Sequence, residues 1–119
     1  MTKLTTLETL VQAKALIADP QHWLKGDYDA LNANGDTCYC SVGAIAKVAD
    51  FHYGDAHQCE AVRLLRKVVL DEGVEDRDFA CYNDSHTHEE VMNAFDKAIA
   101  KAKANEDFYA KIEAELDKA

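Results

Sequence analysis

Cys40-Ser41-Val42-Gly43-Ala44-Ile45-Ala46-Lys47-Val48-Ala49 decides the fold: nine of its ten residues are uncharged and small or apolar, with Lys47 the sole charge. A segment apolar on nearly all sides belongs in the middle of a protein, so the spacing predicts a buried central helix over about 38–49. Gly43 and Ala44 cost helix propensity but let a neighbouring backbone approach closely, so another segment is expected to cross there.

The flanking sequence supplies helices to cover it. Thr5 with Glu8 forms a capping box, and Leu7, Leu10, Val11, Ala13, Leu16 and Ile17 form an apolar stripe, which predicts a first helix over 5–18. Asp19-Pro20 ends that helix and opens a short helical turn that carries Trp23 into the core. Residues 26–36 are rich in Asp, Asn and Gly and read as an irregular surface loop, with Asn34-Gly35 at a turn. Asp55 is expected to cap a third helix with Ala61, Val62, Leu64, Leu65, Val68 and Val69 inward and Gly73 at its end.

The acidic stretch Glu75-Asp76-Arg77-Asp78 and Phe79-Ala80-Cys81-Tyr82 read as an irregular lead-in. Thr87 with Glu90 makes a second capping box before Val91, Ala94, Phe95, Ala98, Ile99 and Ala102, a fourth helix. Asn105 is expected to cap a separate fifth helix bearing Phe108, Tyr109, Ile112 and Leu116. The expected fold is all-α: a compact single-domain bundle of five helices plus a short helical turn, with 1–104 as the domain and 105–119 as an appended helix packing on it.

At 119 residues the chain is long enough for one core and too short for two domains. Its formal net charge of −9, from 22 acidic and 13 basic residues, repels nucleic acid and anionic membranes, so direct nucleic-acid binding is disfavoured. No apolar run reaches the roughly 18 residues of a membrane span, and Met1-Thr2-Lys3-Leu4 does not start a secretory signal, so the expected location is the cytoplasm with Cys38, Cys40, Cys59 and Cys81 as free thiols.

Two polar clusters, each at the start of a helix, carry most of the residues capable of chemistry: Thr37-Cys38-Tyr39-Cys40-Ser41-Val42-Gly43-Ala44, and Asn83-Asp84-Ser85-His86-Thr87-His88. A cysteine at a helix start is biased toward thiolate, and a histidine at another toward neutral imidazole. Cys40 as nucleophile, His88 as base and Asn83 or Asp84 as orienter would make a cysteine hydrolase or transferase site, with first-turn amides as oxyanion donors. The same placements describe an inert core thiol, a buried histidine bonded to a loop and a plain Asn-Asp turn. Trp23, Tyr39, Tyr82 and Thr87 are the candidate binding residues beside them.

No Cys-x-x-Cys pair, EF-hand spacing, glycine-rich phosphate loop or dinucleotide fingerprint is present, so neither metal nor cofactor is expected. Asp19-Pro20-Gln21-His22-Trp23, Tyr39-Cys40-Ser41-Val42-Gly43-Ala44-Ile45, and Tyr82-Asn83-Asp84 through Thr87-His88 to Phe95-Asp96-Lys97-Ala98-Ile99 resemble, in the same order, a small bacterial and phage domain family of unknown function. The resemblance implies that Trp23, Cys40, Gly43, Asn83, Asp84, Thr87 and His88 sit on the family pattern, whereas Cys38, Cys59 and Cys81 do not. The leading functional expectation is a non-catalytic binding or modulator module, phage or mobile-element related. It would act as a monomer or weak homodimer through a pocket or acidic face on a protein or small-molecule ligand. The rivals are the cysteine enzyme and an acidic decoy for a nucleic-acid-binding protein.

Overall fold

Helix α1 spans Thr6–Ile17, and both halves of its capping box form: Glu8 N–H donates to Thr5 Oγ1 at 3.1 Å and Thr5 N–H to Glu8 Oε1 at 3.0 Å. The computed structural model describes residues 4–75 and 78–118; Met1 to Lys3, Asp76 and Arg77 of the acidic lead-in, and Ala119 lie outside the described residues. After α1, Asp19 caps a 3-10 turn over Pro20–His22 by accepting from Gln21 N–H at 2.9 Å. Helix α2 covers Ser41–Ala49, α3 Glu60–Leu70, α4 Phe79–Ser85 and α5 His88–Asp117, with a second 3-10 segment at Tyr53–Gln58.

The all-α class holds, and α2 is the central helix: Ser41 through Ala46 are all buried, packed chiefly against α1. Leu10, Ala13 and Ile17 of α1, Ala61, Leu65 and Val69 of α3, and Val91, Phe95 and Ala98 of α5 close the core around it. Each large aliphatic or aromatic side chain buried here contributes about 1.5–3 kcal/mol. Lys14 of α1 pairs with Asp96 of α5 at 2.5 Å, and Lys97 of α5 pairs with Glu72 beyond α3, on the exposed rim of these contacts.

Three local expectations are corrected. The 26–36 loop contains a strand: β1 (Asp29–Leu31) pairs antiparallel with β2 (Thr37–Tyr39), Ala30 opposite Cys38. Three-residue strands are too short to show a period of two, and the hairpin is held at its tip by Asn32 Oδ1, which accepts from Asn34 and Asp36 N–H groups at 2.9 and 3.0 Å. The lead-in 79–82 is the first turn of α4, capped by Asp78, whose Oδ1 accepts from Cys81 N–H at 2.9 Å. Seven residues give little periodic signal, yet Phe79, Tyr82 and Asn83 at i, i+3 and i+4 all face inward. α3 likewise starts at Glu60, with Cys59 at its N-cap rather than Asp55, which lies within the 3-10 segment.

The fourth and fifth helices are one. α5 runs 30 residues without a break, because no glycine or proline interrupts it and Asn105 sits inside the helix instead of capping a new one. Ala102 is its last buried side chain; every described residue from Lys103 to Lys118 is exposed. Ending the chain after Ala104 is therefore expected to change the unfolding free energy by no more than about 1 kcal/mol, measured by urea titration followed at Trp23. A larger loss would show that the overhang packs on the domain.

Candidate functional site

The two polar clusters meet at the start of α2, and their centre is Asn83. Its position in α4 leaves it fully buried, and its Oδ1 accepts three hydrogen bonds: from Ser41 Oγ at 2.6 Å, Trp23 Nε1 at 2.7 Å and Ser41 N–H at 3.0 Å. Its Nδ2 donates to the Leu24 carbonyl at 2.9 Å and to Asp84 Oδ1 at 3.3 Å. The same Asp84 oxygen accepts from Gly26 N–H at 2.8 Å. One side chain thus ties α4 to the first turn of α2 and to the segment after the Pro20–His22 turn.

Cys40 lies one residue before α2, as its N-cap: the sulfur accepts from Gly43 N–H at 3.3 Å, and its own N–H donates to the Tyr28 carbonyl at 3.1 Å. It is 2% exposed. Burial pushes its thiol above the ordinary value; the Gly43 and Val42 N–H groups oppose the rise, and the carboxylates of Asp84 and Asp27 add to it. The helix-start bias toward thiolate is outweighed by desolvation, so Cys40 is a protonated thiol at neutral pH. The backbone crossing expected at Gly43 is the Tyr28 carbonyl, whose carbon would stand 2.9 Å from a β-carbon at that position.

His88 opens α5 immediately after its cap, Thr87, whose hydroxyl accepts from Glu90 N–H at 3.1 Å while Glu90 Oε1 accepts from Thr87 N–H at 3.0 Å. Its Nε2 lies 2.7 Å from the Ile17 carbonyl, an acceptor, so Nε2 carries the proton and supplies a donor to one of the last carbonyls of α1. The ring meets Trp23 edge-on at 5.4 Å. His88 thus caps α1, because the first turn of α5 packs beside the end of α1. Among the described residues the Cys40 thiol and the His88 imidazole share no hydrogen bond.

The remaining candidates are distributed around this centre. Trp23 is half-buried and also forms a bridge to Tyr39, which sits on β2 and accepts from Leu24 N–H at 2.9 Å. Tyr82 is buried against Phe79 at 5.0 Å and stacked on His86 at 3.7 Å. Cys38 donates its thiol to the Gln21 carbonyl at 3.1 Å. Ser41 was not singled out from the sequence, although its hydroxyl is fully buried and makes the shortest of these bonds; its place between an N-cap cysteine and an apolar helix was the available signal.

Two surface hollows lie elsewhere. One of about 420 Å³ is lined by Tyr39, Lys47, Asp50 and Phe51; another of about 910 Å³ is lined by Thr5, Thr9, Phe51, Asp55 and Cys59. Cys40, Asn83, Asp84 and His88 line neither. Among the described residues no three His, Cys, Asp or Glu side chains come together to hold a metal ion, and no helix is long and apolar enough to cross a membrane.

The polar clusters therefore form an internal clasp, in which Asn83, Asp84, Cys40 and His88 each hold another segment. No curated protein and no solved structure matches the chain. A family model does match, over residues 1–101, so that it ends beside Ala102, where the buried part of α5 ends. Matched over most of its length, the chain belongs to DUF6197, a family of unknown function.

Proposed function

We propose that this chain is a non-catalytic binding module, an accessory protein of phage or mobile-element type that works in the cytoplasm by docking on another protein. The observation that carries this reading is the second half of α5, which leaves the domain with Phe108, Tyr109, Ile112 and Leu116 at 39–68% exposure. Exposed apolar side chains gathered on one face, rather than scattered, mark interaction surfaces in soluble proteins. The enzyme reading needs a reachable thiolate beside a base, and the environment of Cys40 supports neither requirement.

Iodoacetamide labelling of the folded chain from about pH 5 to about pH 9, read by mass spectrometry, tests the choice. Cys81, which is exposed, is expected to label first, and Cys40 only on denaturation. Fast labelling of Cys40 with a midpoint below that of an ordinary thiol, abolished by His88→Ala, would replace this reading with the cysteine hydrolase or transferase.

A further inference from the structure

The apolar stripe that seats α5 on the domain does not stop where the domain stops. Val91, Phe95, Ala98 and Ala102 recur at alternating steps of four and three, and the alternation continues through Asn105, Tyr109, Ile112 and Leu116. The first four are buried against α1 and α3; the last three are exposed, with Phe108 beside them. The overhang from Lys103 to Asp117 is about 22 Å of helix at 1.5 Å per residue, about four turns beyond the last buried position.

The charges on this overhang are sorted. In a seam formed by 105, 109, 112 and 116, the positions directly beside it are 106, 108, 113 and 115, occupied by Glu106, Phe108, Glu113 and Glu115. Lys103, Asp107, Lys111 and Asp117 lie on the outer side. The apolar strip is thus edged by three carboxylates and by no cation. A second copy fits it poorly: antiparallel pairing about the Tyr109–Ile112 centre sets Glu106 of one copy against Glu113 of the other, and both chains carry a net charge of −9. Parallel pairing is blocked, because α1 and α3 occupy the side of α5 on which the second helix would have to run.

Resting on the binding reading above, we infer that the overhang of α5 is a docking strip for a protein partner that presents an apolar groove or helix face rimmed by Lys and Arg. The strip supplies an apolar centre, Tyr109, Ile112 and Leu116, and the glutamates supply the register and the choice of partner.

Two synthetic helical peptides with the same Leu/Ile seam, one with Lys and one with Glu at every position beside it, serve as probes for calorimetric titration of the full chain. At about 50 mM salt the Lys-edged peptide is expected to bind at least about 10-fold more tightly than the Glu-edged one, and the gap to narrow at about 300 mM. Glu106→Lys combined with Glu113→Lys is expected to reverse the preference, and Ile112→Asp to abolish binding. All three positions are exposed, and the circular dichroism melt of each variant reports that the domain is intact. Equal affinity for both peptides, lost in Ile112→Asp, would keep the docking strip and overturn the basic partner. Binding of neither peptide would overturn the strip itself and the binding reading with it. A full-chain dimer in sedimentation equilibrium that tightens with salt and dissociates in Ile112→Asp would assign the strip to a second copy and overturn the inference.

Discussion

Gly43→Ala is expected to prevent the chain from reaching its native state. The added methyl would overlap the Tyr28 carbonyl oxygen and stand 2.9 Å from its carbon, and neither partner is a side chain that can turn away. Relief requires α2 to separate from the segment preceding β1, which breaks the Cys40 N–H bond to the same carbonyl and opens the core around Ala44 and Ile45. We expect a loss of more than about 4 kcal/mol, at the far end of single-substitution effects and comparable to the whole stability of a small domain. Gly35→Ala is the contrast. Gly35 has a φ of 81° with nothing near its absent β-carbon, so only backbone strain of about 1–2 kcal/mol is expected. Thermal melts of the two variants by circular dichroism separate the effects; a Gly43→Ala protein melting within a few degrees of the parent would refute the close crossing.

Asn83→Ala carries the second largest expected effect, about 3–5 kcal/mol, because truncation leaves the Trp23 Nε1–H, the Ser41 N–H and the Leu24 carbonyl without their partner in a buried site. The cost is expected as a lower urea midpoint, with the emission of Trp23 shifted as its indole loses the bond to Asn83. Asp84→Asn, by comparison, alters an exposed side chain that keeps an oxygen able to accept from Gly26 N–H, and should cost about 1 kcal/mol or less. Were Asn83→Ala to prove as mild as Asp84→Asn, the clasp would not be what joins α4 to α2, and Asn83 would regain its standing as a residue of an active site.

These two positions show how a pattern that resembles a catalytic constellation also meets structural demands. A cysteine, a serine, an asparagine and a histidine near two helix starts suit acyl transfer, and they equally suit the closing of helix ends that would otherwise bury unmet backbone groups. The distinction lies in where the atoms point. Asn83 faces Trp23 and Ser41, Cys40 faces the amide of Gly43, and His88 faces the carbonyl of Ile17. Among the described residues no buried side-chain nitrogen or oxygen lacks a partner, so the clasp is complete without a ligand.

The helices α1, α3 and the first half of α5, the two capping boxes and the need for a small residue at 43 were all readable along the chain. The helices and caps depend on residues within about four positions of one another, and a 3.6-residue period or a cap declares itself over that distance; at 43 the small residues showed that something crosses, but not that it is Tyr28. The β1–β2 hairpin, the short α4 and the unbroken run of α5 through Asn105 were not readable, because three to seven residues carry little periodic signal and a potential cap is used only if the helix before it ends. Asn83 could be named as a candidate but not understood, since its partners Ser41 and Trp23 lie 42 and 60 residues away. The choice between thiolate and core thiol at Cys40 could not be made along the chain for the same reason: a helix start lowers a thiol locally, whereas the burial that raises it comes from distant segments closing over it. Local order, then, follows from neighbours along the chain; which polar groups face each other, and which apolar face of α5 is left bare, follows only from how those pieces pack.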